Sequence, residues 1–124
     1  MLEFAAEPAR ARSAAEIAAK YRVSAHHLAK VLRKLGGARL LLAARGAGGG
    51  YRLAANPKRT TLMDVIGLFE EIGTAPPRGR AERRGDEELA LDEVLAEVDE
   101  TAKATFRTVT LDTMVKLVGT RRRA

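Results

Sequence analysis

Two short helical stretches, each opened by a serine and separated by a three-residue turn, constrain this chain more than any other feature. Ser13-Ala-Ala-Glu16 has capping-box spacing: the hydroxyl can accept from the third helical amide and the carboxylate can reach back. The spacing predicts a helix to about Tyr21, with Ala14, Ile17 and Ala18 as its apolar stripe. Arg22-Val23-Ser24 then makes a turn, and Ser24 caps a second helix from Ala25 to about Leu35. Leu28, Val31, Leu32 and Leu35 fall at i, i+3, i+4 and i+7 and share a buried face. The other side carries His26, His27, Lys30, Arg33 and Lys34, and Gly36-Gly37 is expected to stop the helix. Two short helices around a tight turn, the second amphipathic and basic, make a helix-turn-helix.

The chain beyond Gly37 extends that unit. Leu40-Leu-Leu-Ala-Ala-Arg45 reads as a strand, Gly46-Ala-Gly-Gly-Gly50 as a tip, and Tyr51-Arg-Leu-Ala54 as the returning strand. Asn56-Pro57 ends the hairpin. Thr61-Leu-Met-Asp64 is a second capping box, opening a helix with Leu62, Val65, Ile66 and Phe69 expected inward. The fold class is therefore mainly α with a small β-hairpin wing, a winged helix-turn-helix. Ahead of it, Leu2, Phe4, Ala5 and Ala6 read as the end of a helix broken at Pro8. Behind it, Gly73 to Gly85 has two prolines, three glycines and four arginines with no apolar period, and reads as a linker. Asp86 to about Phe106 is a long acidic helix with Leu91, Val94, Leu95, Val98 and Ala102 in one stripe. Thr110-Leu-Asp opens a short last helix, and Arg121-Arg-Arg123 reads as a tail. The expected division is a DNA-binding domain over 1–72, a linker over 73–85, and a dimerisation helix with the short helix over 86–124.

Charge separates the two parts. Residues 1–60 hold twelve Lys/Arg against three Asp/Glu, and residues 61–124 hold ten against thirteen. A basic half joined to an acidic half points to a polyanion partner for the first half only. The chain has no cysteine, which excludes disulfides, thiolate zinc sites, cysteine-held iron–sulfur clusters and cysteine nucleophiles. Aromatics make up 4%, too few for a base-stacking sheet that binds single strands. No apolar run is long enough for a membrane span and no signal peptide opens the sequence, so the expected compartment is the cytoplasm.

The glycine tip admits three readings. A phosphate cradle fails, because no Lys-Ser/Thr follows and the tip leads into a strand rather than a helix N-terminus. A plain flexible tip is the second. A wing that approaches DNA closely is the third and is favoured by the adjacent helix-turn-helix, with Arg45, Gly48, Gly49, Tyr51 and Arg52 as its candidates. In the basic helix, Ser24, His26 and His27 would meet base edges in the major groove, while Lys30, Arg33 and Lys34 would meet phosphates. Neighbouring His26 and His27 diverge by about a hundred degrees on a helix and cannot share a metal. The acidic helix either folds onto its own winged helix or pairs with a second copy through Leu91, Val94, Leu95, Val98 and Ala102. The intervening linker favours the copy. Paired carboxylates on it (Asp92 with Glu93, Asp99 with Glu100) read as a solvated face rather than as catalytic groups, and no catalytic or metal-binding set is identified.

Four segments together resemble the Rrf2 family of bacterial winged-helix transcriptional regulators. They are Ala15-Glu16-Ile17-Ala18, Val23-Ser24 with Leu28, Arg45-Gly46-x-x-Gly49-Gly50-Tyr51-Arg52-Leu53-Ala54, and Asp64-Val65-Ile66. The Ser24-to-Val31 stretch is closest to the nitric-oxide-sensing branch. The resemblance implies a homodimer crossed through the long helix on a two-fold operator, with base contacts from Ser24, His26 and His27 and Arg45 in the minor groove. Many members hold an iron–sulfur cluster through three cysteines between the fourth helix and the dimerisation helix. Residues 73–85 have none, so no cofactor is carried over. The family's opening strand and most of its first helix would lie before Leu2, which is expected to reflect a displaced start or a reduced scaffold. The sequence thus reads as a non-enzymatic cytoplasmic regulator, expected to be a repressor that binds double-stranded DNA as a homodimer. The alternative is a winged-helix protein-interaction module that has lost DNA binding.

Overall fold

The computed structural model describes residues 1–46, 49–69 and 85–124. Among these, the order is α1 (Leu2–Ala6), α2 (Ala14–Tyr21), α3 (Ala25–Gly37), β1 (Leu41–Ala43), β2 (Tyr51–Leu53), α4 (Leu62–Ile66), α5 (Asp86–Thr108) and α6 (Leu111–Arg123). The expected fold class is present: a mostly helical chain with a two-strand antiparallel hairpin. Gly48 and residues 73–84 of the expected linker lie outside the described residues.

Local chemistry sets the helix-turn-helix. Ser13 Oγ accepts from the Glu16 amide at 3.1 Å and Ser24 Oγ from the His27 amide at 3.2 Å, so both serines cap as their spacing predicts. Only half of the first capping box forms. The Glu16 carboxylate turns instead to Arg10 at 2.9 Å, because a nearby guanidinium offers a charge-assisted bond. α2 closes on Arg22 in the left-handed region (φ 53°), and the Val23 amide donates to Ala18 O at 3.1 Å. α3 ends at Gly37, so the glycine pair forms its last two residues instead of following Leu35 as a stop. Arg39 supplies the left-handed residue (φ 63°), with Leu40 N–H on Leu35 O and Arg39 N–H on Gly36 O, both at 3.0 Å. This is a Schellman cap with arginine where glycine is usual.

The core is built from Phe4, Ile17, Leu32, Leu35 and Leu41, with Leu28, Val31, Tyr51 and Leu53 packed around it. The hairpin pairs Leu41 with Leu53, Leu42 with Arg52 and Ala43 with Tyr51. Alternation along a strand then sends Leu41, Leu53 and Tyr51 toward the core and Leu42 and Arg52 to solvent. A third strand of one residue completes the wing. Arg12, in the connection between α1 and α2, donates its amide to Tyr51 O at 2.8 Å and accepts from Tyr51 N–H at 2.9 Å. Gly50 passes so close that a Cβ there would stand 2.6 Å from Arg12 O, and its φ of +123° excludes other residues on its own account.

The Arg12 side chain is buried among Glu3, Glu7 and Glu16, closest to Glu7 at 2.9 Å. Glu3 also accepts from Lys20 Nζ at 2.6 Å and from the Tyr21 hydroxyl at 2.5 Å. The bond from Lys20, then that from Tyr21, hold the Glu3 carboxyl below the usual carboxylate range. The same contact with Glu3 pushes the Tyr21 phenol up.

In α4 the second capping box is complete: Thr61 Oγ1 accepts from the Asp64 amide at 3.2 Å, and Asp64 Oδ2 accepts from the Thr61 amide at 2.9 Å. The helix ends at Ile66, however, and Phe69 is not inward. It lies beyond the last turn, 41% exposed, because the helical period that would have buried it has already stopped. The last helix is longer than the sequence pattern predicts. α6 includes Arg121 to Arg123, so the expected tail is helical; three cations in the last turn suit the negative end of the helix dipole. α6 packs on α1, and Leu111 at its start is only 1% exposed. Thr61 and Thr110 form an antiparallel bridge, with Leu62 N–H on Val109 O and Leu111 N–H on Thr60 O, both at 2.9 Å.

Gly50→Ala should lower stability by roughly 1–3 kcal/mol, read as the shift in a thermal or urea unfolding curve, through backbone strain at the Arg12 crossing. A lowered folded pKa means that Glu3 stabilises fully above the ordinary carboxylate range and loses that contribution as the pH falls toward the folded value. Glu3→Gln should therefore reduce the melting temperature at neutral pH and flatten its decline in acid.

Candidate nucleic-acid interface

The N-terminus of α3 is the first part of the site. Ser24, His26 and His27 are exposed there, with Ser24 Oγ engaged as the cap and its hydroxyl proton still able to donate. Lys30, Arg33 and Lys34 follow on the same helix and are exposed too. Positions 27, 30 and 34 make one stripe at helical spacing, and 26, 30 and 33 the adjacent one. Leu32 and Leu35 on the opposite side are buried, which fixes this face outward.

The hairpin supplies the second part. Arg45, Gly49 and Arg52 are exposed, and Arg52 stands on the outer face of the hairpin opposite Leu42. Tyr51 differs from its neighbours. It is half-buried, and its ring lies over Gly36 of α3, where an added Cβ would come within 3.2 Å of it. Its visible role is to seat the wing on the end of the basic helix. Strand alternation in the sequence, with Leu53 inward, carries that signal.

The electrostatics divide the molecule. On the α1–α2 side, Arg10, Arg12 and Lys20 are each matched by carboxylates. Lys30, Arg33, Arg45 and Arg52 have no carboxylate within ion-pair distance among the described residues. Lys34 meets an aromatic ring instead, its ammonium 5.2 Å from the centroid of Phe69. Neither this contact nor the burial of Arg12 has a signal in the sequence pattern. An exposed face left with uncompensated cations beside a thin hairpin is suited to a polyanionic groove.

Comparisons with known proteins identify the family of the chain. The sequence profile of Rrf2, described as an iron-dependent transcriptional regulator, matches residues 1–117. This chain belongs to the Rrf2 family. A relative in Rhodopseudomonas palustris, named HTH-type transcriptional regulator BadM, is 48% identical over 123 residues, which cover 99% of this chain and 78% of that protein. Among solved structures, CymR, the global cysteine regulator of B. subtilis, is similar at 28% identity with a TM-score of 0.73, over 94% of this chain and 87% of that one. T. potens IscR is similar in fold at 24% identity with a TM-score of 0.73, over 94% of this chain and 78% of that one. Rrf2 proteins are DNA-binding transcriptional regulators and not enzymes, and this Rrf2 chain is one of them.

Iron is the cofactor implied by the family's description, and the described residues do not fit it. The chain has no thiolate to offer. Among the described residues no group of three or more His, Cys, Asp or Glu is placed to hold a metal. No described helix is long and apolar enough to cross a membrane. The dimer candidates lie on α5: Leu91, Val94, Leu95 and Val98 are each more than half exposed and Ala102 is half-buried.

Lys30→Ala should weaken binding to duplex DNA of any sequence and reduce the slope of log affinity against log salt by about 1, measured by fluorescence anisotropy. Arg45→Ala should cost about 1–3 kcal/mol on the preferred duplex and relax the sequence preference.

Proposed function

We propose that this Rrf2 regulator binds a two-fold operator as a homodimer and represses transcription by occupying it, in the bacterial cytoplasm. No iron–sulfur cluster takes part in this reading, because the chain supplies no cysteine. The observation that carries it is the combination of two unsatisfied surfaces on one chain. The face of α3 with the wing lacks anionic partners among the described residues, and α5 buries none of its residues. Ser24, His26 and His27 read base edges in the major groove, and Lys30, Arg33 and Lys34 set register on phosphates. Arg45 and Arg52, with the glycines at 48 and 49 between them, address the adjacent minor groove. Tyr51 contributes by seating the wing.

Each subunit alone covers too little DNA for a unique address, so pairing of two half-sites is the natural use of the α5 stripe. Leu91, Val94, Leu95 and Val98 recur at helical spacing and are exposed together, which supports a self-complementary seam around a two-fold axis. The acidic flanks of α5 then keep the seam away from DNA.

Val94→Glu with Leu95→Glu should give monomers by sedimentation while leaving the helical content intact, and should weaken operator binding by orders of magnitude. Wild-type affinity should fall steeply between low and moderate salt. A mass that is unchanged by the two substitutions, or binding indifferent to salt, would favour the protein-interaction alternative.

A further inference from the structure

We propose that Phe69 is a positioning residue for DNA binding: its exposed ring holds the Lys34 ammonium on the nucleic-acid face of α3. The inference rests on the proposed reading that Lys34 meets phosphate, and it names a residue outside the helix and the wing that tunes that contact. The observation is geometric. Lys34 is in the last turn of α3, and its Nζ lies 5.2 Å from the Phe69 centroid, within the range of a cation–π contact. Phe69 reaches it from the turn after α4, on a different segment of the chain. No carboxylate among the described residues competes for that ammonium.

Phe69 is also an expensive choice for an exposed position. The sequence has three phenylalanines, and while Phe4 is 1% exposed, Phe69 is 41% exposed. A single large apolar side chain in water needs no explanation by itself. A ring placed beneath a cation on a proposed binding face has one. Lysine is a compact, strongly hydrated charge on a flexible stem, so an unsupported Lys34 would lose much freedom on meeting a phosphate. A ring beneath the ammonium restricts that freedom beforehand. Its three N–H donors are not consumed by the ring, so one side of the group stays available to phosphate oxygens. Arg33 and Lys30 have no such support among the described residues, which makes Lys34 the fixed point of the cationic stripe.

The test is a double-mutant cycle between Phe69→Leu and Lys34→Ala, with a mixed-sequence duplex of about 30 base pairs as the probe and anisotropy at several salt concentrations as the readout. Phe69→Leu should weaken binding about two- to fivefold in the wild-type background and leave affinity unchanged in the Lys34→Ala background, while Phe69→Tyr restores it. Lys34→Ala should lower the salt slope by about 1, whereas Phe69→Leu should leave the slope nearly intact because the charge is still present. Lys34 side-chain protons should show an upfield ring-current shift by NMR that Phe69→Leu removes, a measurement that needs no DNA. Wild-type binding with equal effects of Phe69→Leu in both backgrounds, or no ring-current shift, would overturn the role of Phe69 alone. Failure of the wild type to bind the duplex would overturn the phosphate reading of Lys34 and this inference together.

Discussion

The wing stands or falls with one backbone crossing. Arg12 and Tyr51 exchange both of their main-chain hydrogen bonds, and Gly50 slips past at a distance that no side chain tolerates. A two-stranded hairpin of three residues per strand is marginal in water. Here it gains a third, one-residue strand from the α1–α2 connection and a ring-on-glycine contact with α3. The guanidinium of the same Arg12 lies among Glu3, Glu7 and Glu16, so the crossing is held by main chain and by charge together.

Much of this architecture is legible in local chemistry. Ser13, Ser24, Thr61 and Thr110 each cap the helix that comes after them, because short hydroxylated side chains satisfy amides that nothing else can reach. The four-residue apolar stripe of α3 identifies both its buried side and, by subtraction, the exposed basic face. The less legible features depend on contacts distant in sequence. Gly36 has the look of a helix stop, yet it lies inside the helix beneath Tyr51, and Arg39 takes the left-handed position instead. Phe69 belongs by spacing to a helical period that ends three residues earlier. Arg12 looks like one more basic residue, since nothing local marks a cation for burial.

The candidate site is legible in its composition more than in its geometry. Residue types and spacing single out Ser24, His26, His27, Lys30, Arg33 and Lys34, and their common exposure follows from the opposite apolar stripe. Sequence cannot separate Tyr51 from Arg52 without committing to the pleat. It also cannot show that Arg10, Arg12 and Lys20 are neutralised while Lys30, Arg33, Arg45 and Arg52 have no carboxylate partner among the described residues, because ion pairing is decided by tertiary neighbours. Family membership adds an iron-dependent description that a cysteine-free sequence and the donors among the described residues do not match.

The stitch between Thr61 and Thr110 has a mechanical meaning. It plants the far end of the long acidic helix at the foot of α4, directly after the hairpin. A rod clamped at one end acts as a lever, and torque applied along it arrives at the clamp. Whatever leans on the exposed ridge of that rod therefore presses on the start of α4 through two short hydrogen bonds.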